Sequence, residues 1–239
     1  MNQHVHLYRE LSQGSEEWAQ VRCGMLTASE MKLIVTPTLK PANNDEERAH
    51  MFELLAQRIS GYVEPAYQSD DMERGVAEEI EARRHYSRHF APVRQCGFIV
   101  NTRYGFPIGY SPDGLVGEDG LLEAKSRRQK FQVRTVVENG YRDAGQTIPS
   151  EFRIQCQTGL LVSERAWLDF VSYSGGLPGI VIRVLPDRRL QMKILTAAIA
   201  FEKRLRAAHD QYHQALGGGL RSFPTERTLY GDVDASDLD

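Results

Sequence analysis

The stretch from residue 106 to residue 128, FPIGYSPDGLVGEDGLLEAKSRR, constrains the fold of this chain more than any other. It predicts two short strands joined by a turn at residues 117–120, where two glycines can adopt positive φ. The second strand should cover residues 121–126. Side chains alternate between the two faces of a strand, so Glu123 and Lys125 should share one face.

The opposite face of that strand carries Leu122 and Ala124, which are suited to a hydrophobic core. If those two side chains face the core, Glu123 and Lys125 face a site that Asp113 can approach from the bend before the hairpin. Two carboxylates and a lysine there suit a hard cation, which prefers oxygen ligands. The alternative is a surface hairpin with solvated charges.

Composition limits the possible classes of protein. The chain has 239 residues, 41% hydrophobic and 26% charged, as in an ordinary globular protein. It has no apolar run long enough for a membrane span and no signal peptide, so we expect a cytoplasmic protein without a membrane partner. Three cysteines, Cys23, Cys96 and Cys156, fit neither a disulfide framework nor a regularly spaced metal cluster.

The net charge of −3 argues against indiscriminate coating of DNA, so a DNA-binding protein of this composition must concentrate its positive charge. The run KSRRQKFQVR, residues 125–134, concentrates basic residues directly after the hairpin. Its residues Arg127, Arg128 and Lys130 are candidates for a DNA-phosphate track. The alternative is a solvated helix face.

A helix predicted over residues 72–90 carries an acid on its apolar face. At 100° per residue this face holds Val76, Glu79, Ile80, Arg83 and Phe90, whereas Glu78 and Glu81 lie elsewhere. Burying an unpaired carboxylate is costly, so Glu79 needs a cation or hydrogen bonds. We interpret Glu79 as a further metal ligand; the alternative is an ion pair with Arg83.

The other elements follow from periodicity and from helix caps. A capping box over residues 27–30 predicts a short helix, and residues 45–60 predict a helix whose buried stripe is Ala49, Phe52, Leu55, Ala56 and Ile59. On a later helix, Gln155 shares a stripe with Phe152, and Gln157 points elsewhere. Further helices are predicted over residues 15–24, 129–138, 149–163 and 188–215, and strands over 93–101, 166–173 and 180–185.

The pattern Pro112-Asp113 followed by Glu123-Ala124-Lys125 resembles the PD-(D/E)xK nuclease superfamily. The predicted order of helix, three strands, helix and strand is similar to the core of that superfamily. The resemblance implies an α/β fold with a restriction-endonuclease-like core, in which a central mixed β-sheet is flanked by helices.

Further local sequences narrow the resemblance. In order along the chain they are WAQVRCGMLTASE at residues 18–30, Gly75-x-x-x-Glu79, Ser111-Pro112-Asp113-Gly114 and Gln155-Cys156-Gln157. Together they resemble the lambda-type phage exonucleases, also called viral alkaline exonucleases, over residues 18–173. One departure is Ser126-Arg127, where a Cys-Pro-like continuation is expected; this puts the DNA path after the active strand in doubt.

The resemblance implies roles for individual residues. Asp113, Glu123 and Glu79, with the backbone carbonyl of Ala124, would be the metal ligands. Lys125 would activate or position the attacking water, and its pKa could favour either role. A pocket for a 5′-phosphate would be formed by Arg22, Ser29, Ser111 and Gln155.

The resemblance also implies activity and assembly. The chain would be a Mg²⁺-dependent 5′-to-3′ exonuclease using two ions, with Mn²⁺ as a substitute. It would degrade one strand of linear duplex DNA and release 5′-mononucleotides. A ring-shaped homotrimer and a phage single-strand annealing protein are the implied partners, in a bacterial host carrying a phage or prophage.

We expect one nuclease domain over residues 1–239. Its N-terminal helices, about 15–60, would pack on a core of about 72–216, followed by a loose acidic tail of about 220–239. Two other functions stay open: an endonuclease on the same core that cuts internal sites, and a non-catalytic DNA-binding protein. An iron–sulfur nuclease would need four cysteine ligands, and the chain has three cysteines.

Overall fold

A computed structural model describes residues 3–65, 70–139 and 147–227. The predicted acidic end of the tail, with Asp232, Asp234, Asp237 and Asp239, lies outside these residues. The helices are α1 Glu16–Arg22, α2 Met31–Ile34, α3 Asp45–Ser60, α4 Asp70–His89, α5 Gln129–Asn139, α6 Ser150–Ser163 and α7 Arg188–Gly217. The strands are β1 Val5–Tyr8, β2 Leu26–Thr27, β3 Val93–Arg94, β4 Phe98–Asn101, β5 Ile108–Tyr110, β6 Gly114–Val116, β7 Gly120–Ser126, β8 Trp167–Tyr173 and β9 Ile180–Val184.

These strands form two sheets. The larger sheet has the order β3-β6-β7-β8-β9, and its pairs are antiparallel except for β7 with β8. The smaller sheet has the order β1-β4-β5-β2. The predicted hairpin is therefore β6–β7, and β7 is the central strand of the larger sheet. This sheet is mixed, as expected.

Helix α4 covers one face of the larger sheet. Leu122 and Ala124 of β7 are buried there in a cluster that includes Ala82 and Tyr86 of α4. The larger core cluster packs the other side with residues of β5, α6 and α7. The alternation predicted for β7 is confirmed, because Glu123 lies on the face opposite to Leu122.

The single strand predicted over residues 93–101 is wrong. Two strands, β3 and β4, replace it and join different sheets. Between them Gly97 passes close to the N-terminal segment, where a Cβ would lie 2.1 Å from the carbonyl oxygen of Leu11. A side chain at this position would therefore clash with the N-terminal segment where the chain passes from one sheet to the other.

The N-terminal helices begin largely where predicted. Ser15 caps α1 by accepting a hydrogen bond from the backbone N–H of Trp18, and Asn44 caps α3 in the same way. The capping box at residues 27–30 is wrong. Thr27 belongs to β2, and its hydroxyl donates to the carboxylate of Glu30, so α2 begins only at Met31.

The apolar stripe predicted for α3 is partly wrong. Ala49, Phe52 and Ala56 are exposed, and the buried residues of α3 are Glu47, His50, Leu54 and Leu55. The cause is the contact of α3 with α7, where Glu47 pairs with Arg204 and the His50 ring stacks on Phe201. Polar pairing with a neighbouring helix thus rotates α3 away from its predicted orientation.

The inward face predicted for α4 is also wrong. Val76 is 60% exposed and Phe90 is 64% exposed, whereas Ala82 and Tyr86 are buried. Glu78, predicted on the solvent side, is half-buried and accepts a hydrogen bond from Ser126. Among the helices in the described part of the chain, none is long and apolar enough to cross a membrane.

Candidate active site

Asp113 is fixed to the strand that carries the other candidate residues. Its Oδ2 accepts a hydrogen bond of 2.6 Å from the backbone N–H of Ala124, and its own N–H donates to the carbonyl of Leu122. On the other side, Arg83 of α4 donates to the carbonyl of Asp113 at 3.2 Å. The bend before β6 therefore places the Asp113 carboxylate against β7.

Glu123 is almost completely buried and accepts from three side chains. Its Oε2 accepts a hydrogen bond of 2.6 Å from the hydroxyl of Tyr110 on β5. Its Oε1 accepts one of 2.5 Å from Nε2 of Gln155 on α6, and lies 2.6 Å from Nζ of Lys125. These contacts hold the Glu123 side chain in one orientation.

Glu79 joins these residues from α4. Burial raises its pKa, and the charge of Glu123 raises it further, while the charges of Lys125 and Arg83 act in the opposite direction. Glu79 lines the same cleft as Asp113, and its role as a metal ligand stays a prediction.

The same crowding acts on the other groups. Burial and then the charge of Glu123 raise the pKa of Asp113 well above its usual range. Burial by itself lowers the pKa of Lys125, but the charges of Glu123 and Asp113 outweigh it and the net pKa is raised. The site is thus a buried set of acids whose charge Lys125 and Arg83 balance only in part.

This donor set fits a hard cation. Asp113, Glu123 and Glu79 supply carboxylate oxygens, and the carbonyl of Ala124 follows directly on β7, which is the ligand chemistry that Mg²⁺ prefers. Among the described residues no group of three or more His, Cys, Asp or Glu side chains is arranged to hold a metal ion. The excess of buried negative charge is what a bound cation would neutralise.

Two of the four predicted 5′-phosphate ligands are in direct contact. Nη1 of Arg22 donates to Oγ of Ser111 at 3.2 Å, and the Arg22 guanidinium stacks on the Trp18 ring at 4.0 Å from its centroid. Nε1 of Trp18 also donates to Ser111, at 3.1 Å. Burial lowers the pKa of Arg22, and the charge of Glu30 opposes this shift.

The other two predicted phosphate ligands have different partners. Ser29 is exposed, and its Oγ lies 3.1 Å from Oγ1 of Thr27. Gln155 donates to Glu123. Gln155 is thus in contact with Glu123, one of the predicted metal ligands, while Arg22 and Ser111 contact each other. Gln157, predicted to point elsewhere, is a buried amide bonded to the backbone at Leu185.

The three basic residues after β7 differ in accessibility. The Arg127 side chain is only 9% exposed, lies over the Phe152 ring at 4.9 Å and pairs with Glu151. Arg128 and Lys130 are exposed, and Lys130 lies over the ring of Phe131. The two exposed cations are therefore the better placed of the three to meet a DNA backbone.

Tyr110 and Trp18 also contact predicted site residues, Glu123 and Ser111 respectively, although the sequence predicts a role for neither. Tyr110 lies on a strand of the smaller sheet, and no spacing pattern relates it to Glu123. Trp18 belongs to the WAQVRCG motif and lies one helical turn before Arg22 on α1. This position could have indicated that Trp18 contacts the predicted phosphate ligands.

The mixed sheet, the flanking helices and the Asp113, Glu123 and Lys125 arrangement define a protein with the PD-(D/E)xK-like fold. The sequence profile of the YqaJ-like viral recombinase domain matches residues 17–166. The chain belongs to this family, which confirms the resemblance to the lambda-type phage exonucleases. No protein of curated function matches the chain in sequence.

Solved structures agree with this assignment. The chain is similar to the alkaline exonuclease LHK-Exo from Laribacter hongkongensis, with a TM-score of 0.73 and 29% identity over 85% of this chain and 99% of that one. It is also similar to LHK-Exo in complex with dAMP, with a TM-score of 0.68 and 30% identity over 87% of this chain and 100% of that one. The fold expected from the sequence is thereby confirmed.

Proposed function

We propose that this protein is a Mg²⁺-dependent exonuclease that degrades the 5′-ended strand of linear duplex DNA from 5′-phosphorylated ends. It releases 5′-mononucleotides and leaves 3′ single-stranded overhangs for homologous recombination of a phage or prophage. Membership of the viral recombinase family and similarity to an alkaline exonuclease support the coarser function, a nuclease of phage recombination.

The finer proposal rests on one observation: Ser111 and Asp113 lie two residues apart on the same stretch of chain. Ser111 contacts the stacked guanidinium of Arg22, and Asp113 accepts a hydrogen bond from the backbone N–H of Ala124 on β7, next to Glu123. Two residues of chain span at most roughly 7 Å, which is comparable to the separation of neighbouring phosphates in a DNA strand. A terminal phosphate at Arg22 would therefore place the next phosphodiester at the acids.

The reaction follows from this arrangement. A water attacks the phosphorus between the first two nucleotides and gives its proton to a neighbouring water. The new P–O bond replaces the P–O3′ bond, and the 3′-oxygen of the first nucleotide leaves and takes a proton from solvent. Lys125, 2.6 Å from Glu123, would orient or activate that water. Two Mg²⁺, or Mn²⁺ as a substitute, would be held by Asp113, Glu123, Glu79 and the Ala124 carbonyl and would neutralise charge on the phosphate oxygens.

Cleavage at this bond leaves a new 5′-phosphate on the shortened strand. That phosphate can then move to Arg22 and Ser111, so the same two contacts serve every cycle. Selection of a terminal phosphate favours ends over internal sites. An endonuclease would have no use for such a pocket.

The assembly is proposed on the family alone. A homotrimeric ring would surround the duplex, and a phage single-strand annealing protein would receive the 3′ strand. A trimer mass in light scattering is the expected result, and a monomer mass at working concentration would remove the ring from the proposal.

The test uses linear duplex DNA labelled separately at each 5′ end, with relaxed closed circles alongside. Mg²⁺-dependent release of 5′ label as mononucleotides, with the circles intact, is the expected result, and chelation should stop it. Nicked or linearised circles would instead show an endonuclease, and the terminal-phosphate pocket would have to be withdrawn.

A further inference from the structure

Two histidines meet near the C-terminal end of α7. Nε2 of His209 lies 3.3 Å from Nε2 of His213, which is one helical turn further along. The spacing of four residues places both rings on the same side of the helix. The side chain of His209 is 39% exposed, and His213 is exposed. Because α7 carries no residue of the candidate active site, this pair is a separate feature of the molecule.

The separation of the two nitrogens is that of two ligands on one metal ion. Zn²⁺ binds histidine nitrogen at about 2.0–2.1 Å in tetrahedral geometry, so two of its nitrogen ligands lie roughly 3.3 Å apart. The two Nε2 atoms of the pair are 3.3 Å apart. The helix therefore holds both ligands at the required distance without any change of its backbone.

The spacing along the helix does not produce this arrangement by itself. His85 and His89 of α4 are also four residues apart, but their rings are parallel within 5° and their centroids lie 6.2 Å from each other. The centroids of His209 and His213 are 4.5 Å apart, and the rings meet edge to face. At the larger distance the ring nitrogens on α4 cannot approach as closely as those on α7. The α4 pair is thus an internal control.

Neighbouring side chains orient the two rings of α7. Oδ1 of Asp210 lies 3.9 Å from Nδ1 of His209. A carboxylate on that side favours a proton on Nδ1 and leaves the lone pair of Nε2 free, as for many metal-binding histidines. Tyr212 meets the ring of His213 edge to face, with centroids 5.4 Å apart and an angle of 88° between the rings. Both rings therefore have a contact that restricts them.

We propose that His209 and His213 form a binding site for a divalent transition-metal ion, with Zn²⁺ as the ion that fits the distance. Imidazole nitrogen suits Zn²⁺, Ni²⁺ and Cu²⁺, whereas Mg²⁺ prefers oxygen ligands. The site thus selects a different class of ion from the acids of β7. Within the described residues no third His, Cys, Asp or Glu side chain joins such a group, so water completes the coordination and the ion exchanges.

A bound ion would stabilise the end of α7. Every residue from 210 to 217 is exposed, although all of them are helical. Helical turns that bury no side chain depend on their own hydrogen bonds and open easily. An ion that joins His209 to His213 closes one turn of this segment and opposes its opening.

The first experiment is hydrogen exchange of the full chain, read by mass spectrometry. Mg²⁺ is kept in excess because it competes for carboxylate oxygens but not for imidazole. At free Zn²⁺ about ten times its Kd, an opening that breaks the site becomes about tenfold rarer, so amides of residues 210–217 should exchange about tenfold more slowly. His209→Gln and His213→Gln should each lose this effect, and the matched control His85→Gln should keep it.

Two results of this experiment would overturn the proposal. One is wild-type exchange at residues 210–217 that Zn²⁺ does not change. The other is equal slowing in the wild type and in both α7 variants, which would place the ion elsewhere. Equal slowing of the fragment that contains His85 and His89 would likewise indicate general stabilisation by Zn²⁺ and count against a local site.

The second experiment is calorimetry with Zn²⁺, which gives the Kd and the number of ions bound. Since Zn²⁺ also binds carboxylates, the wild type is compared with each variant. We expect one binding event that both α7 variants remove and His85→Gln retains; identical titrations of all four proteins would refute the site. DNA cleavage in Mg²⁺ and the metal-free melting temperature should be unchanged in both α7 variants, because the replaced side chains are partly or fully exposed.

Discussion

The hydroxyl of Tyr110 donates a hydrogen bond of 2.6 Å to Oε2 of Glu123, and this bond joins a strand of the smaller sheet to the central strand of the larger one. Both side chains are buried. The carboxylate that is the centre of the candidate site is therefore oriented by the packing of two sheets.

We expect Tyr110→Phe to lower the free energy of unfolding by about 1–3 kcal/mol, because a buried carboxylate oxygen loses its donor. It should also slow DNA cleavage, because Glu123 is no longer held in place. The control is Tyr86→Phe, which removes an equivalent buried bond of 2.6 Å to Asp169. Both variants should lose stability in urea unfolding, and only Tyr110→Phe should lose cleavage. If the two variants cleave DNA at equal rates, Tyr110 has no role in positioning Glu123.

Asp113→Asn should abolish cleavage yet raise the melting temperature of the chelator-treated protein, because one of the crowded buried carboxylates loses its charge. Its amide oxygen can still accept from Ala124. Added Mg²⁺ should stabilise the wild type by about 2.7 kcal/mol at a hundredfold excess over Kd and the variant much less. Thermal scans with and without Mg²⁺ check this, and an equal Mg²⁺ response would exclude Asp113 as a ligand.

Arg22→Ala should erase the preference for 5′-phosphorylated over 5′-hydroxyl ends. Hydrogen bonds to charged groups contribute about 1.5–3 kcal/mol, so the wild-type preference should be of the order of ten- to a hundredfold. Arg94→Ala is the control, since that exposed arginine pairs with Glu118 away from the site. Cleavage rates measured on 5′-phosphorylated and on 5′-hydroxyl ends give this preference as a ratio. An unchanged ratio in Arg22→Ala would refute the pocket.

Gly24→Ala should be more destabilising than Gly61→Ala, although both glycines have φ of +66°. At Gly61 nothing lies near the added Cβ, so only the backbone strain of about 1–2 kcal/mol applies. At Gly24 the Cβ would lie 2.5 Å from Cγ of Arg58, whose Nε also donates to the Gly24 carbonyl. Urea unfolding measures both changes.

The same pair of variants tests how the phosphate pocket is positioned. Gly24 follows α1, which carries Arg22, and Arg58 binds Glu202 of α7 through two bonds of 2.8 Å. Gly24→Ala should therefore also weaken the 5′-phosphate preference, and Gly61→Ala should leave it unchanged. Loss of the preference in both variants would indicate general destabilisation instead.

Some features of the site were predictable because they are local. The period of two along a strand determines that Glu123 and Lys125 lie opposite Leu122 and Ala124. Of the two turn glycines, Gly117 has the expected positive φ, at +55°, whereas Gly120 is already the first residue of β7. The caps at Ser15 and Asn44 likewise depend on residues within one helical turn. The motif order that supports the family is also a property of the sequence alone.

Other features were not predictable because helical periodicity identifies an apolar face but not what that face meets. On α4 the predicted stripe includes Val76 and Ile80, which line a cleft, while Ala82 and Tyr86 contact the sheet. On α3 the pairing of Glu47 with Arg204 decides which side is buried.

The sequence by itself determined the hairpin, its acids and lysine, and the family, because alternation, turns and motifs act over a few residues. Only the tertiary structure decided the partners of Glu123, since Tyr110 and Gln155 reach it from another sheet and from α6. It also decided that Arg22 meets Ser111, 89 residues further along the chain. Such contacts depend on how sheets and helices pack, and that packing is the sum of many weak interactions that no local pattern encodes.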